Sequence, residues 1–515
     1  MTGRNELLAA LRAGCDGDQP WDVVVVGGGA TGLGCAVDAA SRGYSTLLLE
    51  AHDFAKGTSS RATKLVHGGV RYLAQGNLSL VREALAERAV LLANAPHQVR
   101  PLRFVVPTYR WHQMPMLGAG LGFYDLLAGR HSLGRSRVLG RAATCDALPG
   151  VRPGGLLGGI AYWDAQFDDA GLAIALARTA EDLDALPLNY MAVEGLAKSD
   201  GRISGVAARD VETGERHQVP ARSVINATGV WADGLRQMDR PGKAGLIRPS
   251  QGVHLVVDAD FLPGSDALLV PDTEDGRVLF VIPWFGKLVI GTTDTPRDEL
   301  PLEPRALDAE IDFILDTASR YLARAPRRED VRSVFAGLRP LVGGAGGGAG
   351  VTSGLSREHL VEVSDSGLVT ITGGKWTTYR RMAIDAVDVA ARAGNLAQRM
   401  SGTLRQRLHG AGLGDARGRL ARAQAGPDED GIRLAVEAEY ARSVEDVLAR
   451  RYRTLFLDAA SACAEAPQVA RTMAAMLGRD RTWVDGQVAA FEALAQGYRV
   501  LGDASAGTRL QPANQ

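Results

Sequence analysis

The sequence predicts an α/β fold built on a parallel sheet and followed by a helical C-terminal region. Three observations carry this. A β-branched run, Val23–Val26, feeds a GxGxxG turn, a small-residue helix and a second strand within Trp21–Glu50. Two later apolar strands, in Ser223–Asp233 and Leu368–Ala383, end on glycine. Beyond Gly402 apolar and charged residues alternate at helical spacing, as in Arg433–Arg451.

A chain of 515 residues predicts two or three domains. The 58 basic and 59 acidic residues nearly cancel, so no broad positive field exists to hold a nucleic acid. Cys15, Cys35, Cys145 and Cys463 are far apart, without metal-site or iron–sulfur spacing. Free thiols in a reducing compartment are expected, and no metal. The N-terminus is acidic and lacks a long apolar run, unlike a signal peptide. No apolar stretch reaches the roughly 18 residues of a membrane-spanning helix. Lysine occurs only at 56, 64, 198, 243, 287 and 375, which draws attention to each.

The elements follow in order. Val23–Val26 suits a strand buried on both faces. Gly27 allows the tight turn, Gly29 lets backbone approach a pyrophosphate, and Gly32 lets helix and strand pack closely. A helix over Thr31–Arg42 points its free N–H groups at the phosphates, and Gly43 ends it. Tyr44–Leu49 is the second strand, with Glu50 at its tip for a ribose hydroxyl. This is a Rossmann-like dinucleotide site for either NAD or FAD. Ala227, Thr228 and Gly229, and later Gly373 and Gly374, would let backbone reach a long cofactor at several points, which fits FAD; two unrelated strand–turn junctions are the alternative. Thr63–Leu73, "TKLVHGGVRYL", packs a histidine, two glycines, an arginine and a tyrosine between apolar positions.

Taken together, the glycine turn with Glu50, "TSSRATKLVHGGVRYL" (Thr58–Leu73), "NATGVWAD", "GTTDT" (Gly291–Thr295), "AGLRPL" (Ala336–Leu341) and "GGKWTTYR" (Gly373–Arg380) resemble the FAD-dependent glycerol-3-phosphate dehydrogenases of the aerobic, quinone-linked bacterial type. The match covers most of residues 20–395. The resemblance implies an FAD-binding domain of the amino-acid-oxidase/glutathione-reductase type, assembled from residues 18–100, 185–245 and 335–395. A mixed-sheet substrate domain would fill 101–184 and 246–334, with a linker at 402–431 and a helical C-terminal domain at 432–505. Gly276–Asp294 agrees, reading as two antiparallel strands around a Phe285-Gly286 turn. Gly343–Gly350 reads as a low-complexity loop, and the last dozen residues as a disordered tail.

The implied reaction oxidises sn-glycerol 3-phosphate to dihydroxyacetone phosphate, with hydride transfer to FAD and electrons passed to quinone. A phosphate dianion calls for arginine, and Arg71, Arg339 and Arg357 are candidates, with Tyr72 adding a hydrogen bond. The glycine-rich stretch before Arg357 departs from the family's more polar version. Lys375 is expected beside flavin or phosphate. His67 and His254 compete as base; His67 is preferred because two glycines follow it. Thr58, Ser59, Ser60, Ala192, Val193, Thr377 and Thr378 are the further expected flavin contacts. Tyr109–Arg137 mixes aromatic, apolar and basic residues. It reads either as a buried helix of the substrate domain or as a segment lying in a bilayer interface. The resemblance favours peripheral attachment to the inner face of the cytoplasmic membrane, and a homodimer is compatible with it. An oxygen-using glycerol-3-phosphate oxidase shares every motif, and a non-catalytic FAD-binding protein is the reading from another class. A single cysteine beyond residue 400, Cys463, argues against the anaerobic branch with its extra C-terminal cysteines.

Overall fold

Four consecutive valines leave the strand Trp21–Val26 no polar face for its second half, and all four are buried inside an eight-stranded sheet. The computed structural model describes residues 3–17, 19–70, 73, 76–271, 273, 278–343, 359–412 and 425–500. Across the sheet the order is His359–Val363, Val369–Gly373, Arg216–Asn226, Trp21–Val26, Thr46–Leu49 and Leu186–Leu188. The last five are parallel; the first is an antiparallel edge. Met191–Ser199 and Arg202–Asp210 extend Arg216–Asn226 as an antiparallel arm.

The helix Ala30–Ser41 packs between Tyr379–Ala393 and Asp169–Asp182. That last helix corrects one expected boundary. It falls in the 101–184 segment, yet its alanine-rich surface is buried almost all round in the core of the parallel sheet.

The second sheet has ten strands, running Thr295–Pro296, Ile247–Asp258, Lys287–Gly291, Leu279–Trp284, Ala267–Val270, Val99–Thr108, Gly158–Phe167 and Leu65–Val66, with Ser333–Val342 and Arg137–Gly140 branching off. Ser333–Val342 pairs along its whole length with Ile247–Asp258. Residues 335–342, expected in the flavin domain, therefore belong to this sheet by their pairing, and Val334 and Ala336 bury in its core. The Phe285-Gly286 turn has both residues in the left-handed region, φ 48° and 80°, as a two-residue hairpin requires. Leu65–Val66 pairs with Gly158–Phe167, so the Thr58–Val66 segment bridges the two sheets.

The helices Glu429–Glu437, Ala459–Leu477 and Arg481–Ala495 form the C-terminal part, whose core takes in Trp284 and Phe335 of the second sheet. The helical spacing of Arg433–Arg451 is interrupted. The first helix stops at Glu437, Tyr440 turns left-handed at φ 61°, and a π-helical turn spans Asp446–Arg451. The Asp446 carboxylate starts that turn by accepting the backbone N–H groups of Arg442 and Ser443. Of the expected linker, residues 402–412 pack back on the flavin domain, where the Leu408 N–H donates to the Asn94 carbonyl at 2.9 Å. Residues 344–358, 413–424 and 501–515, which include most of the glycine-rich loop and the tail, lie outside the described residues. Among the described residues no helix is long and apolar enough to cross a membrane, and no cluster of ligating side chains suits a metal.

Candidate active site

The end of Trp21–Val26 becomes a cradle through its glycines. Gly27 has φ +112°, and a Cβ there would lie 2.6 Å from the Ala227 carbonyl oxygen. A Cβ on Gly32 would lie 1.8 Å from the Gly27 carbonyl oxygen, so the helix Ala30–Ser41 sits on the turn only because that atom is missing. The Ser59 hydroxyl accepts from the Ala30 N–H at 2.9 Å, and a Cβ on Gly29 would lie 3.0 Å from it. Glu50 closes the far side, accepting the Gly28 N–H at 2.6 Å and the His52 N–H at 2.8 Å. Burial pushes its carboxyl up, against the pull of those two N–H groups.

From this cradle a cavity of about 970 Å³ runs between the sheets. That is the upper end of the ~300–1,000 Å³ typical of ligand sites, as a long cofactor beside a small substrate requires. Gly27, Gly29, Glu50, Thr58, Ser59 and Val193 line one end. Ala227, Thr228, Gly229, Gly373, Gly374 and Thr377 line the flank, and His67, His254, Arg339 and Lys375 share the same walls. Glycines where backbone must approach, a helix N-terminus and an acidic strand end make a donor set that fits a flavin dinucleotide.

Several expected contacts sit elsewhere. Gly32 is used for packing, and Ala192, Ser60 and Thr378 are not on the cavity wall. Ser60 turns its carbonyl to Lys64 Nζ and Arg453 Nη2, both at 2.8 Å. Thr58 donates its hydroxyl to the Leu338 carbonyl at 2.6 Å, tying the loop to the second sheet. Arg71, Tyr72 and Arg357 lie outside the described residues.

His67 is half-buried, and its backbone N–H lies 3.4 Å from Thr377 Oγ1, which joins the two ends of the flavin-domain wall. The glycine after it has a different use from the one expected. A Cβ on Gly68 would lie 2.3 Å from the Tyr124 hydroxyl and 2.6 Å from Leu85, so this glycine admits protein packing rather than a ring. Gly69, at φ +79°, is the one that lines the cavity. The Gly68 N–H donates to Tyr124 Oη at 2.9 Å, Tyr124 donates to Asp164 at 2.9 Å, and Arg88 pairs with Asp164 at 2.7 Å. Burial pushes the Asp164 carboxyl up, opposed by Arg88.

His254 is stacked on Phe335 at 4.8 Å, with Nε2 2.9 Å from Thr63 Oγ1. Burial, reinforced by the charges of Lys64 and Arg339, holds its imidazole well below the usual histidine range, so the ring is neutral. Arg339 donates from Nη2 to Thr292 Oγ1 at 2.9 Å and to the Thr293 carbonyl at 3.0 Å; its Nη1 is 3.4 Å from Asp294. Trp376, next to Lys375, donates from Nε1 to the Ser59 carbonyl at 2.8 Å, closing the wall between the two cofactor loops.

Residues 22–380 match the family model of FAD dependent oxidoreductases, and residues 421–483 match the C-terminal domain of alpha-glycerophosphate oxidase. The mitochondrial glycerol-3-phosphate dehydrogenase of Macaca fascicularis is 39% identical over 523 residues, spanning 90% of this chain and 71% of that protein. The chain belongs to the FAD-dependent glycerol-3-phosphate dehydrogenase/oxidase family. The glycerol-3-phosphate dehydrogenase of Mycobacterium leprae is likewise 39% identical over 524 residues, covering 93% of this chain and 88% of its own. Among solved structures, that of the Bacillus halodurans glycerol-3-phosphate dehydrogenase complexed with FAD superposes with a TM-score of 0.77 at 29% identity, covering 96% of this chain and 98% of that one.

For this member of the glycerol-3-phosphate dehydrogenase/oxidase family, sequence reasoning missed Tyr124, Asp164, Arg88 and the Thr292–Asp294 turn as parts of the site. Only the last carries a signal in the sequence, the "GTTDT" motif, which by itself assigns no role.

Proposed function

We propose that the protein oxidises sn-glycerol 3-phosphate to dihydroxyacetone phosphate on bound FAD and passes the electrons to a quinone at a membrane surface. The observation that carries this reading is one cavity whose wall holds the glycine cradle at one end and His67, His254, Arg339 and Lys375 further along. FAD, when bound, supplies the hydride acceptor; the residues named as its cradle would hold it. Arg339 and Lys375 bind the phosphate dianion, Arg339 through its planar fork and Lys375 as a point charge. His67 takes the proton of the carbon-2 hydroxyl. His254 is the poorer base, because forming its imidazolium beside Lys64 and Arg339 in a buried site is costly; it orients the hydroxyl as a neutral ring.

The quinone part of the reading rests on an apolar lobe of the same cavity. Leu65, Phe104, Leu117, Leu269, Val278 and Phe280 line it, and Leu117 belongs to the helix Gln113–Ala128, whose outer side is apolar and exposed. Apolar walls of this kind would suit a lipophilic acceptor.

The test is anaerobic. Adding glycerol 3-phosphate to the yellow protein should bleach the flavin, and His67→Ala should slow bleaching by about 10²–10⁴-fold. No bleaching of the unmutated protein would sink the reading. Rapid peroxide formation in air with poor quinone reduction would assign the oxidase activity instead.

A further inference from the structure

Arg339, given the substrate phosphate above, is oriented by two segments that share one buried carboxylate. Its Nη2 donates to the Thr293 carbonyl at 3.0 Å, and its Nη1 lies 3.4 Å from the Gln251 carbonyl. Gln251 is in the strand Ile247–Asp258; Thr293 follows the strand Lys287–Gly291. The strand floor beneath the guanidinium is close, since a Cβ on Gly252 would lie 2.2 Å from Nη2.

Glu310, in the first turn of the helix Asp308–Ser319, reaches both segments. Its Oε2 accepts from Gln251 Nε2 at 2.7 Å and from the Leu307 N–H at 3.0 Å. Its Oε1 accepts the hydroxyls of Thr295 at 2.6 Å and Thr293 at 3.0 Å. The Val253 N–H donates to Thr293 Oγ1 at 3.0 Å, which leaves that hydroxyl hydrogen to point at Glu310. Glu310 is 5% exposed. A helix cap alone would need only the Leu307 contact. The other three donors come from the segments on either side of Arg339, and all are neutral, so the carboxylate acts as a geometric clamp between them.

We propose that Glu310 is a positioning residue for the substrate phosphate: it fixes the spacing of Gln251 and Thr293 and thereby the orientation of the Arg339 guanidinium. The inference rests on the phosphate role of Arg339, and its failure can be told apart from the failure of that role.

The experiment uses the full-length, FAD-loaded enzyme. Glu310→Gln replaces one acceptor oxygen by an NH₂ group that faces donors. It should raise KM for glycerol 3-phosphate by about tenfold, with kcat within about threefold and flavin content unchanged. The inhibition constant of inorganic phosphate should rise in parallel. In an Arg339→Ala background, Glu310→Gln should add no further rise, because the two act through one interaction. Additive rises, or a fall in kcat at unchanged KM, overturn the inference and leave the reading of Arg339 standing. An unchanged KM in Arg339→Ala overturns that reading itself. If Glu310→Gln does not retain flavin, Thr293→Val removes one clamp donor at constant shape; an unchanged KM and phosphate inhibition there overturn the inference.

Discussion

Lys64 shows how far a residue's surroundings exceed its motif. It has no exposed surface, lies 2.7 Å from Asp169, and is within 5.0–5.3 Å of the ring centres of Trp284, Phe335 and Phe456. Burial pushes its amine down from 10.5 to about 7, with Asp169 opposing and Arg453 adding to the shift. Between those values the unfolded chain holds the extra proton. The group's unfavourable contribution is therefore full below about pH 7 and fades as pH rises to 10.5. Unfolding temperatures of wild type and Lys64→Met across pH 7–10 should show wild type gaining on the variant as pH rises; parallel curves would refute this. The sequence marked Lys64 by its rarity and its neighbours, but not this environment, which arrives from residues 169, 284, 335 and 456. Glu310, Tyr124 and Asp164 were illegible for the same reason: each is an ordinary polar residue until a distant segment meets it. The sequence points to Arg339 by the family motif around it and to His254 by its place at the start of an apolar strand, and both line the cavity.

At the scale of elements, the segment Tyr109–Arg137 was read as either a buried helix or an interfacial one, and the helix Gln113–Ala128 has both characters. Leu121, Tyr124 and Ala128 are buried, while Met116, Leu126 and the preceding Trp111 are 64%, 73% and 81% exposed. Apolar residues on both sides gave the sequence no amphipathic contrast to read. The inner side reaches the His67 turn through Tyr124. Trp111→Glu with Leu126→Glu should abolish sedimentation with anionic vesicles and cut quinone reduction in membranes severalfold, leaving reduction of a soluble dye unchanged. Equal sedimentation of wild type and variant would remove the membrane role from this helix. The glycine turn and its strands were the most legible elements, because their conformation is dictated locally by Gly27, Gly29 and Gly32. The family resemblance puts residues 335–342 in the flavin domain, whereas they pair with Ile247–Asp258, since an apolar strand does not announce its partner.

For the whole molecule, the decisive contact is polar. Asp53, in the loop just after Glu50, is fully buried against Arg450 and Arg451 of the π-helical turn, with Arg451 Nη2 at 2.9 Å. Burial raises the Asp53 carboxyl, but the two guanidinium groups outweigh it and hold it below the usual range. Tyr190 and Asn189 bring the arm strand into the same network. Arg451→Met leaves buried charge partly unpaired and should cost about 3–5 kcal/mol. It should show as a lower unfolding temperature and faster flavin release on dilution; unchanged values for both would mean that the C-terminal part does not brace the loop after Glu50. The discontinuous flavin domain is an implication of the family resemblance alone, because nothing local links residues 18–100 to residues 185–245. That wide spacing governs synthesis as well as shape. Asp53 leaves the ribosome 398 residues before Arg451. At about 5–20 residues per second that is roughly 20–80 s. Early in this interval the strand Arg216–Asn226 finds Trp21–Val26 already made but still awaits Val369–Gly373, and until then the cavity lacks the wall of Gly373–Thr377. A complete flavin cavity thus has to wait for Thr377, and the nascent chain that chaperones and proteases meet before then is one without its cofactor.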